Sequence, residues 1–447
     1  MPHQDDENPV RNLQSLKALF EQVFPESLAT FSRHGNATLE PPWLAAVAMT
    51  CWGFSTKGTL SDRVATACSV VGRVLGVDTT VSRQGLLKAL ATSGQALVDL
   101  IVDHLAVTLP ALKGHWTHGG KVNVAVDGSK AKAPRTAANQ EFFASTRGTQ
   151  RSGQAYRSEA DAAKAASVQV LMTVFWHLAT GLPLRWRLSG GTGSERVSVQ
   201  EQINQLPNNV RLIGDAEYVG YSLWSTIIAS GRTFLFRVGS NITLLKNLGK
   251  YKVKDGYVSF WPDYIMRSGQ PPLLLRLITL HNGKNTIHLV TNELDMTSDQ
   301  ACELYKERWG IEVFFRSVKQ SCQRSKLHCQ TPQNVLSELN WTLLGLWSAL
   351  FLGKQTLAAD GETIRRLSPV KVSRAFEQTI LAIHLQARDT TLLSDLLSIA
   401  VIADESHRTS SKKSRNYPRK KKRKPCGSPI LKSPTKLQNQ TARKLGF

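Results

Sequence analysis

Residues 121–129 read Lys-Val-Asn-Val-Ala-Val-Asp-Gly-Ser, and at this point the chain changes from a helical pattern to a strand pattern. The small and β-branched residues 122–126 are typical of a short buried strand. Asp127 follows directly, and Gly128 and Ser129 are common turn formers. We therefore expect the strand to end at Val126 and to present Asp127 at its end.

Downstream of this strand, runs typical of strands alternate with runs of helical periodicity. The strand-like runs are 167–178, 184–188, 210–214 and 233–238, and the helical ones are 194–206 and 218–230. This order predicts an α/β fold, a mixed sheet flanked by helices. Asp215 follows run 210–214 as Asp127 follows its strand, and functional groups of open α/β sheets gather past strand ends. A single strand-end aspartate is more often a turn former or a helix cap.

Helical patterns dominate on both sides of these strands. Residues 11–112 have helical spacing throughout, and Val77–Ser82 resembles a turn that leads into a helix capped by Ser82 or Thr80. This segment fits either a helix-turn-helix with Arg83, Gln84 and Lys88 facing a DNA groove or an ordinary helical bundle. Residues 239–295 show strands and turns, whereas 335–352, 370–387 and 391–402 show apolar helices.

The charge distribution predicts a polyanionic partner, with nucleic acid favoured over a membrane surface. The chain has 56 Lys+Arg and 34 Asp+Glu, a net charge of +22. Residues 406–447 hold 14 of the basic residues and no acidic ones, so 42 basic and 34 acidic residues remain elsewhere, a net of +8. We expect this basic tail to be disordered. No run of about 18 apolar residues predicts a membrane span, and no P-loop motif is present.

The run 297–321 predicts a long helix with a polar stripe. Thr297 and Gln300 form a capping box at its start. At about 100° per residue, four side chains spaced by 3, 4 and 7 positions lie within about 60° of one another: Tyr305, Arg308, Glu312 and Lys319. Leu304, Ile311, Phe315 and Val318 form an apolar face. Without further context, the polar stripe also fits a solvated face with Arg308–Glu312 ion pairing.

The spacing Tyr305-x2-Arg308-x3-Glu312-x6-Lys319, downstream of Asp127-Gly-Ser and Asp215, resembles the DDE transposases of the insertion sequence 4 family. The resemblance extends over about residues 122–352. It implies a ribonuclease-H-like mixed sheet flanked by helices, in which Asp127, Asp215 and Glu312 are catalytic and hold two Mg²⁺ (or Mn²⁺) ions. Oxygen ligands suit these hard cations, and two ions stabilise the attacking and leaving oxygens of a phosphodiester displacement.

The same resemblance implies DNA contacts and a cut-and-paste reaction. Tyr305, Arg308 and Lys319 are expected to bind phosphate oxygens near the transferred end. The expected partners are double-stranded DNA, as terminal inverted repeats and target, and a second copy in a homodimer on paired ends, with no membrane. The resemblance also implies a bacterial protein that is cytoplasmic and associated with the nucleoid. Trp261, in the β-rich stretch, fits either base stacking or core packing.

These arguments divide the chain into six parts. They are a helical N-terminal module with a DNA-binding role (1–115), the first part of the catalytic core (116–238), a β-rich insertion (239–295), the second part of the core (296–355), a helical C-terminal region (356–405) and the disordered tail (406–447). The insertion explains why Glu312 lies 97 positions after Asp215.

Three other functions compete with an active transposase. An inactive or domesticated transposase-derived DNA-binding protein would have lost a carboxylate, and all three are present. A structure-specific nuclease would cut DNA without joining it. In Gly191-Thr-Gly193-Ser-Glu-Arg196, an arginine replaces the third glycine of a dinucleotide-binding fingerprint. A zinc site at Cys322, His328 and Cys329 lacks a fourth ligand.

Overall fold

The structure is a computed structural model that describes residues 7–31, 39–55, 57–112, 116–143, 145–146, 167–249, 256–282, 285–388, 390–402 and 427–447. Its described strands are β1 (Val122–Lys132), β2 (Ser145–Thr146), β3 (Ser167–His177), β4 (Leu182–Gly190), β5 (Val210–Gly214), β6 (Thr233–Val238), β7 (Thr243–Leu245), β8 (Tyr257–Phe260), β9 (Leu273–Asn282), β10 (Asn285–Thr291) and β11 (Ile430–Lys432).

The α-helices of the same residues surround these strands. They are α1 (Asn8–Val23), α2 (Pro41–Met49), α3 (Leu60–Leu75), α4 (Arg83–Thr108), α5 (Ala137–Phe143), α6 (Glu195–Gln202), α7 (Tyr221–Ala229), α8 (Asp263–Arg267), α9 (Ser298–Glu307), α10 (Trp309–Arg316), α11 (Pro332–Ala359), α12 (Pro369–Leu385), α13 (Leu393–Ser398) and α14 (Lys436–Lys444). The predicted mixed α/β architecture is therefore confirmed.

The first five long strands lie side by side in the order β4-β3-β1-β5-β6. β3 is antiparallel to both β1 and β4, and residues 178–181 form the turn of the β3–β4 hairpin. β5 is parallel to both β1 and β6. Parallel neighbours require crossover connections, and α6 and α7 occupy the two crossovers from β4 to β5 and from β5 to β6. The predicted alternation of strands and helices is thus the alternation found.

The predicted β-rich stretch continues the same sheet. β10 pairs antiparallel with β6, β9 with β10, β8 with β9, and β7 with β8. Hydrogen bonds therefore run from the central strands directly into the stretch predicted as an insertion. Within it, Trp261 is buried and its Nε1 donates to the carbonyl of Gln270 at 2.8 Å. This position agrees with core packing, the second of the two roles considered for Trp261.

The N-terminal helices pack against the long helix α11. The π-helical turn that follows α2 contacts α11, and Gly53 of that turn faces Gly345 so closely that a side chain on either residue would collide with the backbone of the other. The helices α4 and α11 are long and apolar enough to cross a membrane by length and composition alone. In the most apolar window of α11, 89% is buried inside the fold, so α11 is a central core helix.

Strand β1 is longer than predicted, and the expectation that it ends before Asp127 is wrong. β1 runs to Lys132 because β3 pairs with it from Val124 to Lys132. Pairing with β5 on the other side stops at Ala125. Asp127 therefore lies inside the strand, two residues beyond the point where one of its two neighbours ends. The prediction for Asp215, directly after β5, is confirmed.

The predicted long helix 297–321 is divided. Its capping box between Thr297 and Gln300 is present, but α9 ends at Glu307, α10 begins at Trp309, and a π-helical turn covers Ser317–Ser321. At the break, the amide of Ile311 donates to the carbonyl of Arg308 at 3.2 Å, a tighter i to i+3 bond. Glycine weakens a helix interior, and a side chain on Gly310 would come within 3.0 Å of Trp176 Nε1.

The prediction of a disordered tail is wrong for residues 427–447. β11 pairs in parallel with β7, and the amide of Ile430 donates to the carbonyl of Ile242 at 2.9 Å. Thr435 and Gln438 form a capping box that begins α14. Without β11, this side of β7 would be an unpaired sheet edge, and its backbone groups therefore bind β11. Composition alone does not reveal this partner. Residues 403–426, which include the basic run 412–424, lie outside the described residues.

Candidate active site

Two parallel strands bring Asp127 and Asp215 to the same edge of the sheet. Ala125 of β1 is paired with Ile213 of β5, and each aspartate lies two positions further along its own strand. Because β5 ends at Gly214, Asp127 has no paired strand on the β5 side among the described residues. Asp215 lies in a turn, where its Oδ1 accepts a hydrogen bond from the amide of Glu217 at 2.9 Å. The side chain of Glu217 itself is exposed.

Asp127 is a poorly solvated carboxylate among other carboxylates. Burial raises the pKa of Asp127 from its ordinary 3.8 to about 7. The guanidinium of Arg308 opposes this rise in pKa, whereas Asp215 and Glu195 add to it. The amide of Gly128 donates to Asp127 Oδ1 at 2.9 Å and also favours the charged form. An excess of negative charge therefore collects at this edge of the sheet.

The break between α9 and α10 places Arg308 beside two of the predicted catalytic residues. Its Nη2 donates to Glu312 Oε1 at 2.9 Å, and its Nη1 lies 3.9 Å from Asp127 Oδ2. The guanidinium also lies over the ring of Tyr305, 5.4 Å from the centroid. Arg308 is only 12% exposed, so its present partners belong to the protein. The Arg308–Glu312 ion pair of the alternative interpretation is present, but Arg308 is largely buried and not on a solvated face.

Tyr305 and Lys319 complete the stripe. Burial raises the pKa of Tyr305, and the charge of Asp215 adds to that rise, while Arg308 lowers it. Burial lowers the pKa of Lys319, and the charge of Asp127 opposes that shift. Tyr305 is thus within electrostatic reach of Asp215, and Lys319 is within electrostatic reach of Asp127. The predicted apolar face is also confirmed, because Leu304, Ile311, Phe315 and Val318 are all buried.

One acidic residue near Asp127 and Asp215 was not predicted as part of the site. Glu195 opens α6, and the fully buried Tyr218 donates from its hydroxyl to Glu195 Oε2 at 2.6 Å. Burial raises the pKa of Glu195, and the charge of Asp215 adds to that rise. The only sequence signal was an acidic residue at the first position of the helix after β4. Many helices begin that way because their N-terminus favours negative charge.

Comparison with known proteins identifies the family of this chain. A family model described as "Transposase DDE domain" matches residues 118–347, slightly more than half of the chain. The chain belongs to the DDE transposases of the insertion sequence 4 type. The match contains all six residues predicted for the site, from Asp127 to Lys319.

The chain is also similar to a curated transposase and to a solved transposase structure. Transposase InsG for insertion sequence element IS4 of Escherichia coli K12 is 26% identical over 244 residues, which are 52% of this chain and 51% of InsG. This chain thus spans about half the length of that relative. A solved piggyBac transposase synaptic complex with hairpin DNA covers 91% of this chain and 86% of its own, with 12% identity and a TM-score of 0.40.

The donor chemistry of this DDE transposase suits divalent cations, although its side chains are not converged on one. Carboxylate oxygens are the ligands that Mg²⁺ and Mn²⁺ take, and the pKa of Asp127, raised mainly by burial, is raised further by the charges of Asp215 and Glu195. Among the described residues, no group of three or more His, Cys, Asp or Glu side chains is arranged to hold a metal ion. Arg308 instead contributes the nearby positive charge. Cys322, His328 and Cys329, which are all described, likewise form no such group.

Proposed function

We propose that the protein is a DNA transposase that cuts an insertion sequence at its terminal inverted repeats and joins the 3′ ends to target DNA. The single observation that carries this proposal is the meeting of Asp127 and Asp215, at matched positions of two parallel strands, with the Arg308–Glu312 pair. Membership in the DDE transposases supports the same reaction class. The strand order β4-β3-β1-β5-β6 with its directions supports a ribonuclease-H-like core.

Asp127, Asp215 and Glu312 are the residues that would hold two Mg²⁺ or Mn²⁺ ions. When bound, such ions supply charge stabilisation to both the attacking and the leaving oxygen of a phosphodiester displacement. Release of Glu312 and Asp127 from Arg308 would make their oxygens available. Arg308 would then be free to contact a phosphate, the role expected of it from the sequence, together with Tyr305 and Lys319.

Exposed basic side chains lead away from this site along β1. Lys130, Lys132 and Arg135 follow Asp127 on or just past the same strand, and all three are exposed. Backbone phosphates are bound mainly by such cations, which release condensed counterions from the duplex. This surface supports double-stranded DNA as the partner. A homodimer on paired DNA ends, in the cytoplasm of a bacterium and at its nucleoid, completes the proposal.

A plasmid that carries the gene with its native flanks tests the reaction. The purified full chain and Mg²⁺ should release the flanked segment, and EDTA should prevent the release. Glu312→Gln should reduce excision by more than about 100-fold, since even groups that only support a metal ligand contribute about 10–100-fold. Glu303→Gln, an exposed acidic position on α9, is the matched control and should leave excision unchanged.

The products separate this proposal from its competitors. Excision followed by joining to a second plasmid supports a transposase. Cutting without joining, under conditions where the 3′ ends stay intact, would indicate a structure-specific nuclease. Binding of the element's ends without any cutting would indicate an inactive or domesticated DNA-binding relative, and the catalytic assignment would then be wrong.

A further inference from the structure

Glu195 belongs neither to the helical stripe 305–319 nor to strand β1 and the turn after β5, which carry Asp127 and Asp215. It is the first residue of α6, whose N-cap residue Ser194 makes no side-chain capping bond. Its carboxylate lies against Gly128, the neighbour of Asp127, and any side chain at position 128 would collide with Cδ and Oε1 of Glu195. The backbone at Gly128 is ordinary extended strand without a positive φ, so its conformation does not demand glycine. A methyl group at this position would instead require the Glu195 carboxylate to move.

The two oxygens of Glu195 have different surroundings. Oε2 accepts the 2.6 Å hydrogen bond from the buried hydroxyl of Tyr218. Oε1, the oxygen nearest to Gly128, has no hydrogen-bond partner among the described residues, and it is not fully buried. Tyr218 therefore fixes the orientation of the carboxylate, and Oε1 lies against Gly128, the neighbour of Asp127, without a partner among the described residues.

The charges around Glu195 argue against a purely structural carboxylate. Besides burial, the charges of Asp215 and Glu217 raise the pKa of Glu195, and the charge of Lys130 lowers it. Glu195 in turn raises the pKa of Asp127. Arg196, the next residue, is turned away, because its Nη1 donates to the carbonyl of Val219 at 2.8 Å. A third carboxylate near Asp127 and Asp215 adds repulsion between like charges, and a bound cation would offset that repulsion.

We infer that Glu195 is a fourth carboxylate of the reaction centre, which supplies an oxygen ligand to a divalent cation held at Asp127. This inference rests on the proposed function, because it adds a residue to the same site. It assigns Tyr218 as the positioning residue that orients Glu195, and Gly128 as the position that admits it. Hard divalent cations take six or more oxygen ligands, so a further carboxylate is chemically suited to the site.

Direct measurement of Mn²⁺ binding tests the inference without relying on activity. The full chain is titrated with Mn²⁺ alone, and the loss of the free-ion electron paramagnetic resonance signal is followed at pH 7.5. Glu195→Gln should weaken binding by about 10-fold or more, whereas the wild-type protein should bind with measurable affinity. Glu201→Gln, on the same helix and paired with Arg187 at the surface, should bind Mn²⁺ as the wild type does.

A second measurement separates a ligand from a structural group. Glutamine keeps the shape and the hydrogen-bond acceptor for Tyr218, so a ligand role predicts an unchanged or higher Tm for Glu195→Gln in EDTA. Wild-type Mn²⁺ affinity in Glu195→Gln, absence of Mn²⁺ binding by the wild type, or a Tm in EDTA that falls along with the affinity would each overturn the inference. Failure of the proposed function is seen separately, as absence of excision and joining by a wild-type protein that still binds Mn²⁺.

Discussion

Arg308 pairs with Glu312 at 2.9 Å while its other terminal nitrogen lies 3.9 Å from Asp127, so one guanidinium links two of the three predicted catalytic carboxylates. Its Nε is buried without a hydrogen-bond partner among the described residues. A cation in this position offsets part of the repulsion between carboxylates that belong to different elements. The site is therefore held together by a protein charge at the place where the proposed reaction requires metal charge.

The raised pKa of Asp127 predicts an unusual dependence of stability on pH. Between its ordinary 3.8 and about 7, the folded state retains a proton that the unfolded state has lost, so the free energy of unfolding falls as pH rises through this window. Asp127→Asn has no titratable carboxyl at this position, so its free energy of unfolding should not fall in this way. In EDTA, the variant should have a higher Tm than the wild type at pH 8, and the difference should shrink at pH 5. Thermal unfolding at both pH values checks this, and an equal difference at both would contradict it.

A side chain at Gly128 should be tolerated only when Glu195 is shortened. Gly128→Ala brings a methyl group into the Glu195 carboxylate, and such overpacking costs about 1–3 kcal/mol. Glu195→Ala removes the obstacle. In a double-mutant cycle measured by urea unfolding, Gly128→Ala should destabilise the wild-type background more than the Glu195→Ala background. Additive effects would show that the two residues do not compete for the same space.

Lys319 should contribute a single phosphate contact. Lys319→Ala should weaken binding to the element's ends and reduce the slope of log Kobs against log salt by about 1. The control is Lys306→Ala, because Lys306 is exposed and lies about 100° around the helix from Tyr305. Fluorescence anisotropy from 50 to 300 mM salt would measure both. Equal slopes for the two variants would remove Lys319 from the DNA contact.

The pairing of β11 with β7 should stabilise the sheet edge. Ile430→Pro removes the amide that donates to the Ile242 carbonyl at 2.9 Å, whereas Ile430→Ala retains it. A net backbone hydrogen bond is worth about 0.5–1.5 kcal/mol, so the proline variant should unfold at a lower temperature than the alanine variant. Its exposed edge should also promote association, visible by light scattering. Identical behaviour of the two variants would mean that β11 does not contribute.

Much of the site could be predicted because its signals are local or depend on element order. Tyr305, Arg308, Glu312 and Lys319 share a helical stripe that their spacing reveals, and this stripe survives the break after Glu307. Asp127 and Asp215 were recognised from the short apolar runs that precede them. The parallel register of those two runs, Ala125 with Ile213, then brings the two aspartates together.

What remained hidden depends on contacts between distant segments. Nothing in the residues near Glu195 indicates that Gly128, 67 positions earlier, makes room for its carboxylate. The continuation of β1 to Lys132 depends on β3, and the ordering of residues 430–432 depends on the free edge of β7. In each case, a partner that is far away in the sequence supplies the hydrogen bonds or the space.

The sequence by itself determined the mixed α/β architecture and membership in a transposase family, and it singled out six candidate site residues, because periodicity and fixed spacings are properties of the chain alone. Only the tertiary structure decided that Arg308 occupies the space between Glu312 and Asp127, and that Glu195 joins them. The physical reason is that desolvation and charge coupling act through space, so they exist only after folding has brought these groups together.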